Sequence, residues 1–238
     1  MRLALLVFAL LTGLIPCALL ASAQETDLRL NAQGGAWRVY PAENPEPGLP
    51  RVLLIGDSVM IGYRAEVCRL LKGKANVDAW ANPNYLASPG LQQKIKEILA
   101  NGPYDVIHFN IGLHGWPKGR IPEGQYEPLM RAYVQAIQQN AAGARLIWAS
   151  TTPVTVKGQP EELDPVINAT IVERNRLAAK VVRQAGVPID DLYAVAVSHL
   201  ALAKGDQFHW TAEGYHLMAT SVADSIVAAL RVQSHSAQ

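Results

Sequence analysis

The apolar residues of this chain fall into short, nearly continuous runs that predict buried β-strands. Residues 52–55, 104–109 and 144–149 are the clearest of these runs, and residues 76–80 form a weaker one. A short apolar run without regular polar alternation is typical of a strand that is covered on both faces. Such strands belong to parallel sheets, because the crossover helices of a parallel sheet pack on both of its sides.

Helical patterns lie between these strands. Apolar residues recur at spacings of three and four over 91–99, 126–139 and 171–184, and a last helix is predicted over 212–230 after Thr211. Strands that alternate with helices predict a three-layer α/β/α sandwich around a mainly parallel sheet of about five strands. The length of 238 residues is sufficient for one such domain.

The composition of the chain changes near residue 50 and predicts the domain boundaries. Residues 24–50 are polar and rich in Gly and Pro, which predicts an N-terminal extension that drapes over, or leads into, the domain. The folded domain is predicted over 51–231 and a C-terminal tail over 232–238.

The first residues resemble a secretory signal peptide. A positive start is followed by an apolar run over 3–20, and the Ala-Ser-Ala sequence at 21–23 predicts cleavage after Ala23. A secreted or periplasmic location is therefore expected, without stable membrane association after cleavage. The alternatives are a retained membrane anchor, against which Gly13 and Pro16 argue, and a lipoprotein modified at Cys17. Cleavage would leave Cys68 as the only cysteine, so no intramolecular disulfide is expected.

Net charge and known motifs exclude several classes of function. The formal net charge is +1, which does not suggest a nucleic-acid partner. The sequence contains no Gly-rich phosphate loop, dinucleotide-binding fingerprint or zinc-helix motif. We therefore expect no cofactor and no metal.

Candidate catalytic side chains follow the predicted strands. In parallel α/β sheets, ligands bind beyond the carboxyl ends of the strands. Ser58 comes directly after the first strand, and Asp206 and His209 directly precede the last helix. A serine hydroxyl becomes a nucleophile when an imidazole accepts its proton, and a carboxylate orients that imidazole. These three residues predict a catalytic triad.

The arrangement of these segments resembles the GDSL/SGNH hydrolase family. The resemblance rests on the Gly-Asp-Ser triplet at 56–58 and on the Asp-Gln-Phe-His sequence at 206–209, and it extends over about 51–230. It implies a flavodoxin-like fold in which Ser58 is the nucleophile, His209 the base and Asp206 the residue that orients the base. The Gly-x-Ser-x-Gly elbow of the α/β-hydrolase fold is absent, because Met60 replaces its last glycine.

Two other family blocks, which supply the oxyanion hole, depart from the usual pattern. The second block has no glycine, and the nearest equivalent is Asn84. The third block reads Gly-Leu-His, so His114 replaces the usual asparagine, and Gly115 stands where the subgroup with Gly-Leu-His has an aspartate. The resemblance then assigns the oxyanion hole to the backbone N–H groups of Ser58 and Asn84 and the side chain of His114.

Polar and aromatic residues near these blocks are candidates for substrate contact. Asn110, Tyr85 and Trp116 are the candidates, although packing under a loop is an equal alternative for the two aromatic residues. His108 lies inside a predicted strand, where a hydrogen-bonded core histidine is expected.

The expected function is an exported serine esterase that hydrolyses short-chain acyl esters, with a small-molecule or carbohydrate ester as substrate. A lipid esterase or thioesterase and an acyltransferase are alternatives within the same chemistry. The departures in the oxyanion blocks leave a different class open, a catalytically weakened carbohydrate-binding protein of the same fold.

Overall fold

A computed structural model describes the backbone of residues 37–141 and 143–236 and the side chains as far as Arg231. The predicted signal peptide lies outside the described residues, as does the extension before Trp37. Six strands form the main sheet in the order β1-β3-β2-β4-β5-β8. All neighbouring pairs are parallel except β1 and β3. These strands are β1 (Val39–Tyr40), β2 (Arg51–Gly56), β3 (Asn76–Ala81), β4 (Val106–Phe109), β5 (Arg145–Ala149) and β8 (Ile189–Asp190).

Helices cover both faces of this sheet. α1, α5 and α6 share one hydrophobic core with alternate strand residues, α2 and α3 share the other, and α4 contributes residues to both. In β2, Val52 and Leu54 belong to the first core while Leu53 and Ile55 belong to the second, which explains why the whole run is apolar. The helices are α1 (Ser58–Leu70), α2 (Leu91–Leu99), α3 (Tyr126–Asn140), α4 (Ile167–Gln184), α5 (Leu192–Val197) and α6 (Ala212–Ser236).

The predicted fold class is confirmed, and the structure adds short elements to it. The four predicted strands correspond to β2, β3, β4 and β5, whereas the two-residue strands β1 and β8 raise the total from about five to six. A two-stranded hairpin, β6 (Thr155–Val156) and β7 (Gln159–Leu163), was also not predicted. These segments are short or polar, and so they carry no long apolar run.

α6 extends beyond residue 230, where the predicted helix ended. Among the described residues, no helix combines the length and the apolarity that crossing a bilayer requires.

Strand β1 anchors the predicted N-terminal extension to the sheet. Val39 pairs with Trp80 and Tyr40 with Ala79, and the backbone N–H of Ala81 donates to the carbonyl of Arg38 at 3.0 Å. The extension therefore contributes an antiparallel edge strand, and it brings Trp37 to the level at which β3 ends.

A buried polar network joins β4, β8 and α6. Nε2 of His108 lies 2.9 Å from Oδ2 of Asp190, and the hydroxyl of Ser221 donates to Oδ1 of the same carboxylate at 2.6 Å. His108 has no exposed surface and Asp190 only 3%. The prediction that His108 is a hydrogen-bonded core residue is thus confirmed.

Helices α1 and α6 approach each other closely at Gly62. A Cβ atom on Gly62 would lie 2.1 Å from Cζ of Tyr215, which is far inside van der Waals contact. The ring of Tyr215 therefore lies against the bare backbone of α1. This contact sets the separation of the two helices near their N-terminal ends.

We predict that Gly62→Ala lowers the free energy of unfolding by about 1–3 kcal/mol, because the new methyl group overpacks the α1–α6 interface. Urea denaturation measures this change. Shortening the partner in Gly62→Ala/Tyr215→Leu should restore part of the loss, so that the double variant is more stable than the two single changes predict by addition. Strict additivity would contradict the contact.

Candidate active site

Ser58 lies where β2 ends and α1 begins. Asp57 caps the helix, and its side chain accepts a hydrogen bond from the backbone N–H of Val59 at 2.9 Å. Because Ser58 is the first residue of α1, its own N–H has no partner inside the helix and lies at the positive end of the helix dipole. Ser58 is only 8% exposed.

The three predicted triad residues are joined by a continuous chain of hydrogen bonds. Nε2 of His209 lies 2.9 Å from Oγ of Ser58, and Nδ1 of His209 lies 2.8 Å from Oδ2 of Asp206. The Asp206 and His209 side chains are 48% and 25% exposed, so the dyad lies at the surface above a nearly buried serine. This geometry permits proton transfer from the serine to a histidine that a carboxylate orients.

The loop that carries Asp206 and His209 is held from two sides. Oδ1 of Asp206 accepts the backbone N–H groups of Phe208 at 3.1 Å and His209 at 2.8 Å. Gln207 adopts a positive φ of 86°, which a non-glycine residue adopts only when its surroundings enforce it.

The β6–β7 hairpin supplies the second support. The N–H of Thr155 donates to the carbonyl of Gln207 at 3.1 Å, and the N–H of Gly158 donates to the carbonyl of Gly205 at 2.8 Å. Through these two bonds the hairpin fixes the loop on which the histidine depends.

The carboxylate of Asp206 is held in its charged form. Burial acts to raise its pKa, but the backbone N–H and the imidazole of His209, together with the N–H of Phe208, outweigh that effect and lower the pKa below its ordinary value. Asp206 therefore remains ionised at neutral pH and can stabilise a protonated His209.

The second block, after β3, forms a turn that satisfies its own polar groups. Both the backbone N–H and the side-chain amide of Asn84 donate to Oδ1 of Asn82, at 3.1 and 2.9 Å. The backbone N–H of Asn82 donates to the carbonyl of Gly56 at 2.9 Å, which places this turn beside the β2–α1 junction. The predicted oxyanion donor Asn84 is therefore near the nucleophile's strand, with its N–H already hydrogen-bonded within the turn.

The third block lies in a short 3₁₀-helix after β4, Leu113–Gly115. His114 is 1% exposed, and its ring contacts the ring of Trp37 edge-on at a centroid distance of 5.4 Å. The guanidinium of Arg120 donates to the carbonyl of His114 at 2.6 Å. At Gly112, a Cβ atom would lie 1.6 Å from Oγ1 of Thr151, so only glycine fits there.

The residues predicted for substrate contact take different positions. The side chain of Asn110 donates to the carbonyl of Ala149 at 2.8 Å and accepts the N–H of Gly112 at 3.3 Å, so it braces the third block from within. Tyr85 lies under the guanidinium of Arg120 at 5.4 Å, and Trp116 is half-buried against the α1–α6 core. Substrate contact by these three residues stays a prediction.

Several residues that shape this site are not among those predicted from the sequence. They are Trp37, which lies within the predicted extension, Asn82, Arg120 and the β6–β7 hairpin. Asn82 precedes a proline in a turn-forming dipeptide, a signal that would have identified it as a loop residue. Neither Arg120 nor the hairpin has a comparable signal, because their contacts depend on tertiary structure. In the described part of the chain, no group of three or more His, Cys, Asp or Glu side chains is arranged to hold a metal ion.

The fold is shared with solved structures of low sequence identity. A carbohydrate acetylesterase, Est24 from Sinorhizobium meliloti, superimposes with a TM-score of 0.61 at 15% identity over 75% of this chain and 99% of that one. A variant of the acetyl xylan esterase Axe2 from Geobacillus stearothermophilus gives a TM-score of 0.59 at 18% identity over 74% of this chain and 94% of that one.

Sequence comparison assigns the family. No curated protein matches the chain. A profile of the GDSL-like lipase/acylhydrolase family matches residues 54–217, which include Ser58, Asp206 and His209. The chain therefore belongs to the GDSL-like lipase/acylhydrolase family, and it is a serine hydrolase that acts on ester bonds.

Proposed function

We propose that this protein is an exported esterase that removes short acyl groups from carbohydrates through a Ser58-His209-Asp206 triad. The observation that carries the proposal is the hydrogen-bond chain from Oγ of Ser58 through His209 to Asp206, with distances of 2.9 and 2.8 Å. The signal-like sequence over 1–23 supports export.

In the proposed reaction, Oγ of Ser58 attacks the ester carbonyl while Nε2 of His209 accepts the hydroxyl proton. Asp206 accepts a hydrogen bond from Nδ1, which fixes the tautomer of His209 and stabilises the imidazolium. The tetrahedral intermediate collapses when His209 returns the proton to the leaving alcohol. Water, deprotonated by the same imidazole, then attacks the acyl-serine and releases the carboxylic acid and the free serine.

Three groups are assigned as hydrogen-bond donors to the oxyanion. The N–H of Ser58 lies at the first turn of α1, where the helix dipole favours negative charge. His114 supplies an imidazole N–H from the third block. The N–H of Asn84 reaches the oxyanion only by exchanging its present acceptor, Oδ1 of Asn82.

The substrate class is supported by the structural relatives and by the form of the site. The relatives described above act, by name, on carbohydrate acetyl groups and acetyl xylan. The nearly buried serine, 8% exposed beneath a partly exposed His209, favours a small acyl group over a bulky one.

The nucleophile is tested by labelling with a fluorophosphonate and measuring the intact mass. We expect one adduct on the wild type, because His209 activates the Ser58 hydroxyl, and no adduct on Ser58→Ala, which should also lose p-nitrophenyl acetate hydrolysis. Ser198→Ala is the matched control, since Ser198 is an exposed serine that donates only to the carbonyl of Ala194. An adduct that persists on Ser58→Ala would overturn the triad, and a wild type that binds glycans without labelling would point to a binding protein.

We predict that Asp206→Asn lowers kcat by about a thousandfold to ten-thousandfold, because the amide would donate to Nδ1 of His209 and impose the wrong tautomer. The remaining amide oxygen can still accept the N–H groups of Phe208 and His209, so the loop should stay folded. The measurement is kcat for p-nitrophenyl acetate at several pH values.

The lowered pKa of Asp206 is tested by carbon-13 NMR of its carboxyl group, assigned by comparison with Asp206→Asn. A carboxylate with a lowered pKa keeps its charge as the pH falls, so we expect the signal of the folded protein to titrate with a midpoint below the ordinary aspartate value of 3.8. Asp224→Asn, an exposed aspartate on α6, serves as the control for the assignment. A midpoint above 3.8 would contradict stabilisation of the carboxylate by the N–H groups and the imidazole around it.

We predict that His114→Ala lowers kcat about a hundredfold to a thousandfold, as expected for the loss of one oxyanion donor. His114→Asn should recover part of that loss, because an amide can donate from the position where the family usually has asparagine. Since His114 is buried, circular dichroism and thermal melting must show that both variants fold. Equal activities of the folded Ala and Asn variants would remove His114 from the oxyanion hole.

A further inference from the structure

A cavity lies beside the turn formed by Asn82 and Asn84, on the side of β3 away from α1. Its volume is about 240 Å³. Trp37 supplies an aromatic wall, the turn supplies Asn82 and Asn84, and helix α2 supplies Lys94 and Glu97. The cavity therefore combines one large aromatic surface with amide, ammonium and carboxylate groups.

Trp37 connects this cavity to the proposed oxyanion hole. The pairing of β1 with β3 fixes the backbone next to Trp37, since the carbonyl of Arg38 accepts the N–H of Ala81 at 3.0 Å. From there the indole reaches the His114 ring, which it meets at an interplanar angle of 81°. Trp37 is only half-buried, so part of its surface remains available to a ligand.

The cavity is also connected to the nucleophile through the backbone. Gly56, two residues before Ser58, pairs with Ala81, and its carbonyl accepts the N–H of Asn82. A ligand that touches Asn82 and Asn84 is thus held by the turn that adjoins the β2–α1 junction.

We propose that this cavity is a subsite for the sugar ring of the substrate, a proposal that rests on the esterase function given above. The face of an indole suits the apolar C–H face of a pyranose, and the rim of the ring presents hydroxyl groups that both donate and accept hydrogen bonds. Lys94 and Asn84 supply donors, and Glu97 supplies an acceptor.

The charges of the lining residues support a neutral polyhydroxylated ligand. Lys94 and Glu97 carry opposite charges, so the cavity does not select an anion or a cation. The Lys94 ammonium already donates to Oδ1 of Asn84 at 3.2 Å, which orients the amide toward the turn. A long acyl chain would cover these polar groups without hydrogen-bonding them, which is unfavourable.

The test compares two substrate types on the same variants. Acetylated xylo-oligosaccharides and an acetylated methyl glucoside carry a sugar ring, whereas p-nitrophenyl acetate does not. We expect Trp37→Ala to reduce kcat/KM for the sugar esters about tenfold more than for p-nitrophenyl acetate, mainly through KM, because it removes the aromatic wall. Trp37→Phe should recover most of the difference, and Glu97→Gln should reduce the sugar-ester activity selectively.

Val39→Ala is the matched control, because Val39 is exposed on the short strand that follows Trp37 and does not line the cavity. Equal losses on both substrate types in Trp37→Ala would overturn the subsite and show that Trp37 acts through His114. Hydrolysis of p-nitrophenyl acetate by the wild type, without either sugar ester, would overturn both the subsite and the carbohydrate substrate, and would leave only the serine esterase chemistry. A wild type that hydrolyses none of these esters would refute the proposed function itself.

Discussion

The close packing of α1 against α6 is the constraint on which the site depends. Ser58 is the first residue of α1, and His209 precedes α6 by a few residues, so the separation of the two helices determines the distance between nucleophile and base. Gly62 permits this approach, because the ring of Tyr215 occupies the space of its missing side chain. A methyl group at this position would push the helices apart about one helical turn from Ser58, whose hydroxyl lies 2.9 Å from Nε2 of His209.

The sheet and the hydrogen-bonded arrangement of Ser58, His209 and Asp206 could be predicted from the sequence because both depend on strong local signals. Strand β2 is buried on both faces and therefore appears as an uninterrupted apolar run, and Ser58 follows it within two residues. Asp206 and His209 are close in sequence, and one tight turn is enough to bring the carboxylate to the imidazole. The distance between them and Ser58 follows from the order of the strands, which the alternation of strands and helices already restricts.

The remaining parts of the site could not be predicted, because they depend on contacts between distant segments. Strand β1 has only two residues, and its pairing with β3 is favourable only after the edge of the sheet exists. The position of Trp37 follows from that pairing, so its contact with His114 has no sequence signal. The hydrogen bond from the N–H of Asn84 to Oδ1 of Asn82 could not be predicted either. The sequence shows two asparagines in a turn, but it does not show which acceptor each N–H finds.

The turn formed by Asn82 and Asn84 suggests how a second block without glycine can still serve an esterase. The carboxamide of Asn82 accepts the backbone N–H of Asn84 and so holds that N–H in a defined direction. Exchange of that acceptor for an oxyanion replaces a neutral hydrogen bond by a charge-assisted one, which is stronger. In the proposed reaction, this exchange would favour the tetrahedral intermediate over the neutral ester, and differential binding of this kind accelerates a reaction. Because Asn82 and Asn84 also line the cavity beside Trp37, a sugar bound there would contact the same amide groups. The same turn would then bind the sugar and donate to the oxyanion. The identity of the leaving alcohol would therefore affect the rate of acyl transfer.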